Sequence, residues 1–182
     1  MNKEFIRLNV VTNFKLTLVS IISGLLIALG CCVNMHIGGI LGALFFACGL
    51  VTIVTFKLPL FTGIVAEKPA WSMLIILLGN AIGGVIGHYM WGIEMPTCTL
   101  SNLDIFLGGC GTGILMVAAY KSKSIYVAIL GVCVFILCGF PHCIAELGYL
   151  RMTLPQWLLA CAGNIVGGQV WRFRDINPWA WS

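Results

Sequence analysis

The chain has 182 residues, 60% of them apolar and only 9% charged, and ten Lys and Arg against six Asp and Glu leave a net charge of +4. With a mean hydropathy of +1.03, it carries more apolar side chain than a soluble domain of this size can cover and is far too greasy for a disordered chain. At about 20 residues per crossing, the length allows six helices embedded in the lipid bilayer and leaves no room for a separate catalytic or nucleotide-driven domain.

The first dozen residues carry Lys3, Glu4 and Arg7 and are too polar for a signal-peptide core. Residues 1–14 therefore read as a cytoplasmic segment. The first apolar run spans Leu16 to Val33, and a connection over Asn34 to Gly38 leads to a long second run, Gly39 to Ala66. Trp71 to Trp91 is the third run, Glu94 to Asp104 a polar connector, and Ile105 to Tyr120 a glycine-rich fourth run. Ile125 to Leu150 is the fifth, Arg151 to Pro155 a loop, and Gln156 to Trp171 the sixth. A tail over residues 173–182 carries Trp179 and Trp181, which suit a membrane interface.

Six crossings put both termini on one side. Lys3, Arg7, Lys15, Lys68, Lys121, Lys123, Arg172 and Arg174 lie there, against Arg151 alone on the other. This asymmetry places both termini in the cytoplasm, with the cell's inner (plasma) membrane as the expected location. It also accounts for the positive charge without invoking nucleic acid. Nine cysteines are present, most of them inside apolar runs, where a thiol behaves as a small hydrophobe. No metal-ligand spacing occurs, and no cofactor or metal is expected.

Two hexads recur 84 positions apart, Gly79-Asn80-Ala81-Ile82-Gly83-Gly84 and Gly163-Asn164-Ile165-Val166-Gly167-Gly168. Each sits in the third helix of a three-helix set, over about 15–92 and 105–172 of a single membrane domain (15–172). An odd number of crossings per copy inverts the second copy and builds a site at their interface. The glycines allow close helix approach, and an amide in lipid needs a partner. The second and fifth runs are longer than one crossing requires, and each has an internal proline, Pro59 and Pro141. Paired breaks in corresponding helices are tolerated in a membrane only where the backbone is buried or lines a cavity. They would bring partial positive charge from half-helix N-termini to the midplane. The expected fold is an all-α membrane protein of six transmembrane helices, in inverted three-helix repeats with broken second and fifth helices.

At these residues the sequence resembles the formate/nitrite transporter family. Gly38 to Leu50 followed by Leu60-Phe61-Thr62-Gly63 resembles the family's second helix and its break. Gly79-Asn80 and Gly163 to Gly168 resemble its third and sixth helices, and Gly139-Phe140-Pro141-His142-Cys143-Ile144-Ala145 resembles its Gly-Phe-Glu-His-Ser-Ile-Ala. The resemblance runs from about Phe14 to Trp171 and implies an aquaporin-like bundle assembled as a homopentamer. Each protomer would hold its own pore for small monovalent anions or their weak acids, such as formate, nitrite and hydrosulfide. It implies a central pore histidine at His142 facing Thr62, between hydrophobic constrictions at Phe46, Leu50 and Phe61 and at Phe135 and Val117. The chain departs from the family pattern in five places. Prolines 59 and 141 stand where the family has glutamates, Ile64 and Glu146 replace asparagines, and residues 97–107 contain no Lys, Arg or His. Lys57 and Glu146, the two charges inside apolar runs, are expected to compensate each other across the repeat interface, because an isolated charge there costs at least ~2.5 kcal/mol.

A bare anion in an apolar constriction is strongly disfavoured, whereas a neutral acid is not. A histidine of ordinary pKa near 6.5 can lend and recover a proton at physiological pH, or it can stay charged as a fixed counter-ion. Two other readings keep the same fold: an aquaporin-like channel for small neutral solutes, and a closed structural or regulatory subunit. An enzyme is not expected, since no nucleophile, acid/base pair or metal set appears.

Overall fold

The structure, a computed structural model, describes the backbone of residues 3–66 and 70–176 and the side chains of 12–66 and 71–173. Lys68, Trp179 and Trp181 lie outside the described residues, as do the side chains of Lys3, Arg7 and Arg174. Among the described residues the regular elements are eight helices. They are α1 (Lys3–Ile37), α2 (Gly39–Thr55), α3 (Phe61–Ile64), α4 (Ala70–Trp91), α5 (Asn102–Ser122), α6 (Ile125–Leu137), α7 (Cys143–Tyr149) and α8 (Leu154–Ile176). Thr12–Ile37, Trp71–Trp91 and Asn102–Ser122 are long and apolar enough to cross a membrane.

The connection expected over Asn34 to Gly38 shrinks to one residue. Helix α1 continues through Ile37, and Gly38, at φ +66, turns the chain directly into α2. A residue without Cβ makes that reversal at little steric cost. The two long apolar runs each divide into a helix, a short non-helical stretch and a shorter helix.

Both stretches begin with the same hydrogen-bond pattern. At the end of α2, Leu58 N–H donates to Ile53 O (2.9 Å) and Lys57 N–H to Val54 O (3.3 Å). At the end of α6, Phe140 N–H donates to Phe135 O (2.8 Å) and Gly139 N–H to Ile136 O (3.2 Å). These are Schellman terminations, whose turning residue adopts a left-handed conformation. That residue is Gly139 at φ +67 in the second case and Lys57 at φ +55 in the first. The prolines follow two positions later, so they prevent the helix from resuming after a turn that is already closed.

Glycines set the packing of the long helices. A Cβ on Gly24 or Gly83 would overlap backbone of α4 or α1, and a Cβ on Gly113 or Gly167 would overlap backbone of α8 or α5. The contacts advance in step along each pair: Gly79 meets Thr17 and Ser20, Gly83 meets Ile21 and Leu25, and Gly87 meets Ala28. α1 and α4 are therefore parallel. α5 and α8 pair in the same way, with Gly163 beside Phe106 and Gly109, Gly167 beside Cys110, and Trp171 Nε1 donating to Ile114 O. The α4–α5 and α7–α8 connections meet where Cys98 N–H donates to Arg151 O (2.8 Å). At the other end, Arg172 Nε donates to Ala66 O (3.0 Å). The two pairs thus run in opposite senses.

The short helices cross over. α3 packs mainly on α5, with lesser contact to α4 and α8, and α7 packs on α1 and α4. Gly84 faces Ile144 and Leu147 of α7, as Gly168 faces Val65 just past α3. The outer faces are apolar too, with Phe45, Leu78, Leu130 and Val166 exposed. Gly167→Ala is expected to force α5 from α8 and cost about 3 kcal/mol. Gly139→Ala, where a Cβ would meet nothing within 4 Å, should cost only about 1 kcal/mol for its backbone angle. Thermal midpoints in detergent distinguish the two.

Candidate functional site

Each helix break exposes backbone groups that need partners. The two recurring asparagines supply them in matching fashion. Asn80 Oδ1 accepts from Phe61 N–H (2.8 Å), the first N–H of α3, and its Nδ2 donates to Pro59 O (3.1 Å) and Ser20 O (2.8 Å). Asn164 Oδ1 accepts from Cys143 N–H (2.9 Å), the first of α7, and its Nδ2 donates to Pro141 O (3.0 Å) and Gly109 O (2.9 Å). Both side chains are fully buried. One amide therefore bridges the two edges of each break and ties them to the neighbouring long helix.

His142 is the N-cap of α7. Its Nδ1 accepts from Ala145 N–H (3.2 Å), and its Nε2 lies 3.0 Å from Thr62 Oγ1 in α3. Because a backbone N–H can only donate, Nδ1 holds a lone pair and the ring proton resides on Nε2. His142 thus donates to Thr62, and the Thr62 hydroxyl hydrogen finds no protein acceptor among the described residues. Both side chains are buried, at 1% and 0% exposure. This hydrogen bond joins the two breaks directly, between residues 80 positions apart.

Phe135 stacks on the His142 ring at 5.3 Å between centroids, and Phe46 meets Phe135 edge-on at 5.6 Å. α2 and α6 thus close an aromatic wall over one side of the histidine. Leu50, Phe61 and Val117 are buried in the same apolar core. Val117 lies toward Gly168 of α8, and Phe61 is set by its N–H bond to Asn80; no ring contact links Phe61 to His142.

The expected compensation between Lys57 and Glu146 is not what the structure holds. Glu146 is buried and pairs with Arg151 through two bonds, Nε to Oε2 and Nη2 to Oε1, each 2.7 Å. Leu150, at φ +48, turns the chain back at the end of α7 so that Arg151 reaches over it. Lys57 sits on the turning residue of α2, exposed, lining a cavity of about 800 Å³ with Lys123 and Tyr120. Glu146 instead borders a cavity of about 110 Å³ with His142, Phe135, Tyr149 and Arg151. The bonds to Glu146 raise the Arg151 pKa above the ordinary arginine range and hold the guanidinium charged.

Three contributors escaped the sequence reading. Arg151 is one; its spacing from Glu146 matches no helical period. Tyr120 is another: its hydroxyl donates to Leu58 O (2.7 Å) and accepts from Leu60 N–H (3.1 Å), holding the first break. Trp157 Nε1 donates to Cys143 O (2.8 Å) beside the second. A lone tyrosine at a helix end carries no signal of that role.

Among solved structures, a pentameric formate channel with formate bound superposes with a TM-score of 0.75 over 91% of this chain and 96% of that one, at 20% identity. The fold is that of a formate channel. An FNT family ion channel superposes with a TM-score of 0.74, 18% identity and 94% coverage of both chains. No protein-family model and no curated protein sequence matches the chain. At 18–20% identity the likeness is one of fold.

Proposed function

We propose that the chain is a divergent formate/nitrite transporter family member. On this reading it forms a homopentamer of protomers, each with six membrane crossings in two inverted repeats and its own pore for small monovalent anions or their weak acids. The observation that carries this reading is the Thr62–His142 hydrogen bond, which joins both breaks under the Phe46–Phe135 wall in a fold shared with a pentameric formate channel. The apolar outer faces suit lipid and neighbouring protomers.

In this mechanism an anion gives up water on entering the aromatic constriction and is met by the Thr62 hydroxyl. Ala145 N–H, the His142 ring and Thr62 form one donor chain, so each bond polarises the next toward the solute. With its proton on Nε2 the ring acts as a neutral hydrogen-bond donor. Proton loan to the anion requires a second state, in which Nδ1 takes a proton and releases Ala145 N–H. A pore for small neutral solutes is the second reading, favoured by that neutral tautomer and by the cancelled charge of Glu146 and Arg151.

Flux into proteoliposomes separates the two. Formate, nitrite and hydrosulfide are compared with a neutral solute of similar size at two pH values. The anion reading expects formate or nitrite entry at least tenfold faster than the neutral solute, changing with pH. Fast neutral-solute entry with no anion entry establishes the second reading instead.

A further inference from the structure

The small cavity beside His142 has a charged rim that the donor chain does not use. Arg151 presents a planar guanidinium with three distinct surfaces. Its Nε–Nη2 edge is taken by the Glu146 carboxylate through two 2.7 Å bonds. One face lies over the Tyr149 ring, with Cζ 5.5 Å from the centroid. The Nη1–Nη2 end has no protein acceptor among the described residues, and the side chain keeps 23% exposure while lining the cavity that His142 also lines. Tyr149 is itself fixed, its hydroxyl accepting from Asn34 Nδ2 at 2.9 Å.

We infer that the free end of Arg151 is an anion-receiving subsite at the outer rim of this cavity, selective for planar oxyanions with two oxygens on one atom, and that Glu146 positions it. This deepens the proposed anion pathway and rests on it. Two parallel N–H donors match the two oxygens of a carboxylate or nitrite, but not a spherical halide. Glu146 fixes the plane of the fork and cancels most of its charge. The subsite therefore binds weakly enough to release its guest inward, as conduction requires. Glu146 N–H donates to His142 O (2.9 Å), so the rim stands one helical turn from the histidine.

Three proteins test this as full-length chains: wild type, the double variant Arg151→Gln/Glu146→Gln, and Arg151→Lys. The double variant removes both charges together, leaving no buried carboxylate unpaired. Three quantities are measured: the half-saturating formate concentration for flux into proteoliposomes, the ratio of formate to chloride flux, and the formate-dependent rise in thermal midpoint in detergent. The expected result is a half-saturating concentration raised about tenfold or more in the double variant, with the formate-dependent midpoint rise lost. Arg151→Lys is expected to keep anion flux but lose the preference for formate over chloride, a change that a merely structural role would not produce. A double variant with the wild-type half-saturation and midpoint rise overturns the subsite while leaving the channel reading standing. A wild type that carries no formate, yet shows a midpoint rise that the double variant lacks, keeps the subsite and overturns the channel reading. A wild type with neither flux nor midpoint rise overturns both.

Discussion

Replacing Asn164 with alanine is expected to cost on the order of 5 kcal/mol and to prevent recovery of a folded protein, because the change strands three buried backbone groups at about 1–3 kcal/mol each. Those groups are Cys143 N–H, Pro141 O and Gly109 O. Total stability is typically 5–15 kcal/mol, so the loss is comparable with the whole. Asn80→Ala should behave alike, since its three partners occupy matching positions around the first break. Asn164→Asp is expected to be worse than alanine. Its carboxylate still accepts from Cys143 N–H but sets a charged oxygen against two carbonyls. Asn34→Ala, which removes one half-buried bond to Tyr149, serves as the control at about 1 kcal/mol. Oligomer recovery by size exclusion and the thermal midpoint of what is recovered read the series. An Asn164→Ala protein within a few degrees of wild type would refute the bridging role.

The second large effect is on flux. His142→Phe is expected to lower anion flux at least a hundredfold, a barrier increase of about 3 kcal/mol. The ring would lose both the donor to Thr62 and the acceptor that caps α7, and an apolar surface would face a desolvated anion. His142→Asn separates these roles. Asparagine is a favoured N-cap, so its Oδ1 can still accept from Ala145 N–H, but its side chain does not titrate and is too short to reach Thr62. Reduced flux that no longer varies between pH 5 and pH 8 is the expected outcome. A wild-type profile that varies with pH and is reproduced unchanged in the Asn variant would remove His142 from any proton handling. Measurement of internal pH during formate entry reads both variants.

Much of this arrangement is legible in the sequence. Composition and runs indicate a membrane helix bundle, the glycine hexads mark the tightly packed third helices, and the two prolines mark where helices stop. Those signals are local or periodic. What the asparagines touch was not legible, because their partners lie 19 to 60 positions away. The Glu146–Arg151 pair was missed for a related reason. Ionic pairs are sought at three or four positions along a helix, whereas this one forms across a left-handed turn at Leu150. The expectation that two stray intramembrane charges must find each other set Lys57 against Glu146. It assumed that Lys57 was inside the bundle, whereas the end of α2 delivers it to an open cavity.

The crossing of the short helices bears on how the chain is made. Asn80 can bridge the first break as soon as α4 exists, since all its partners lie between Ser20 and Phe61. α3 itself, however, rests mainly on α5, with lesser contact to α4 and α8, and α7 packs against α1 and α4. A ribosome that has released the chain as far as Trp91 has produced a half in which α3 still lacks its main partner, α5, and α1 and α4 lack α7. Each half therefore completes its packing only when the other is present, by the exchange of one short helix for the other.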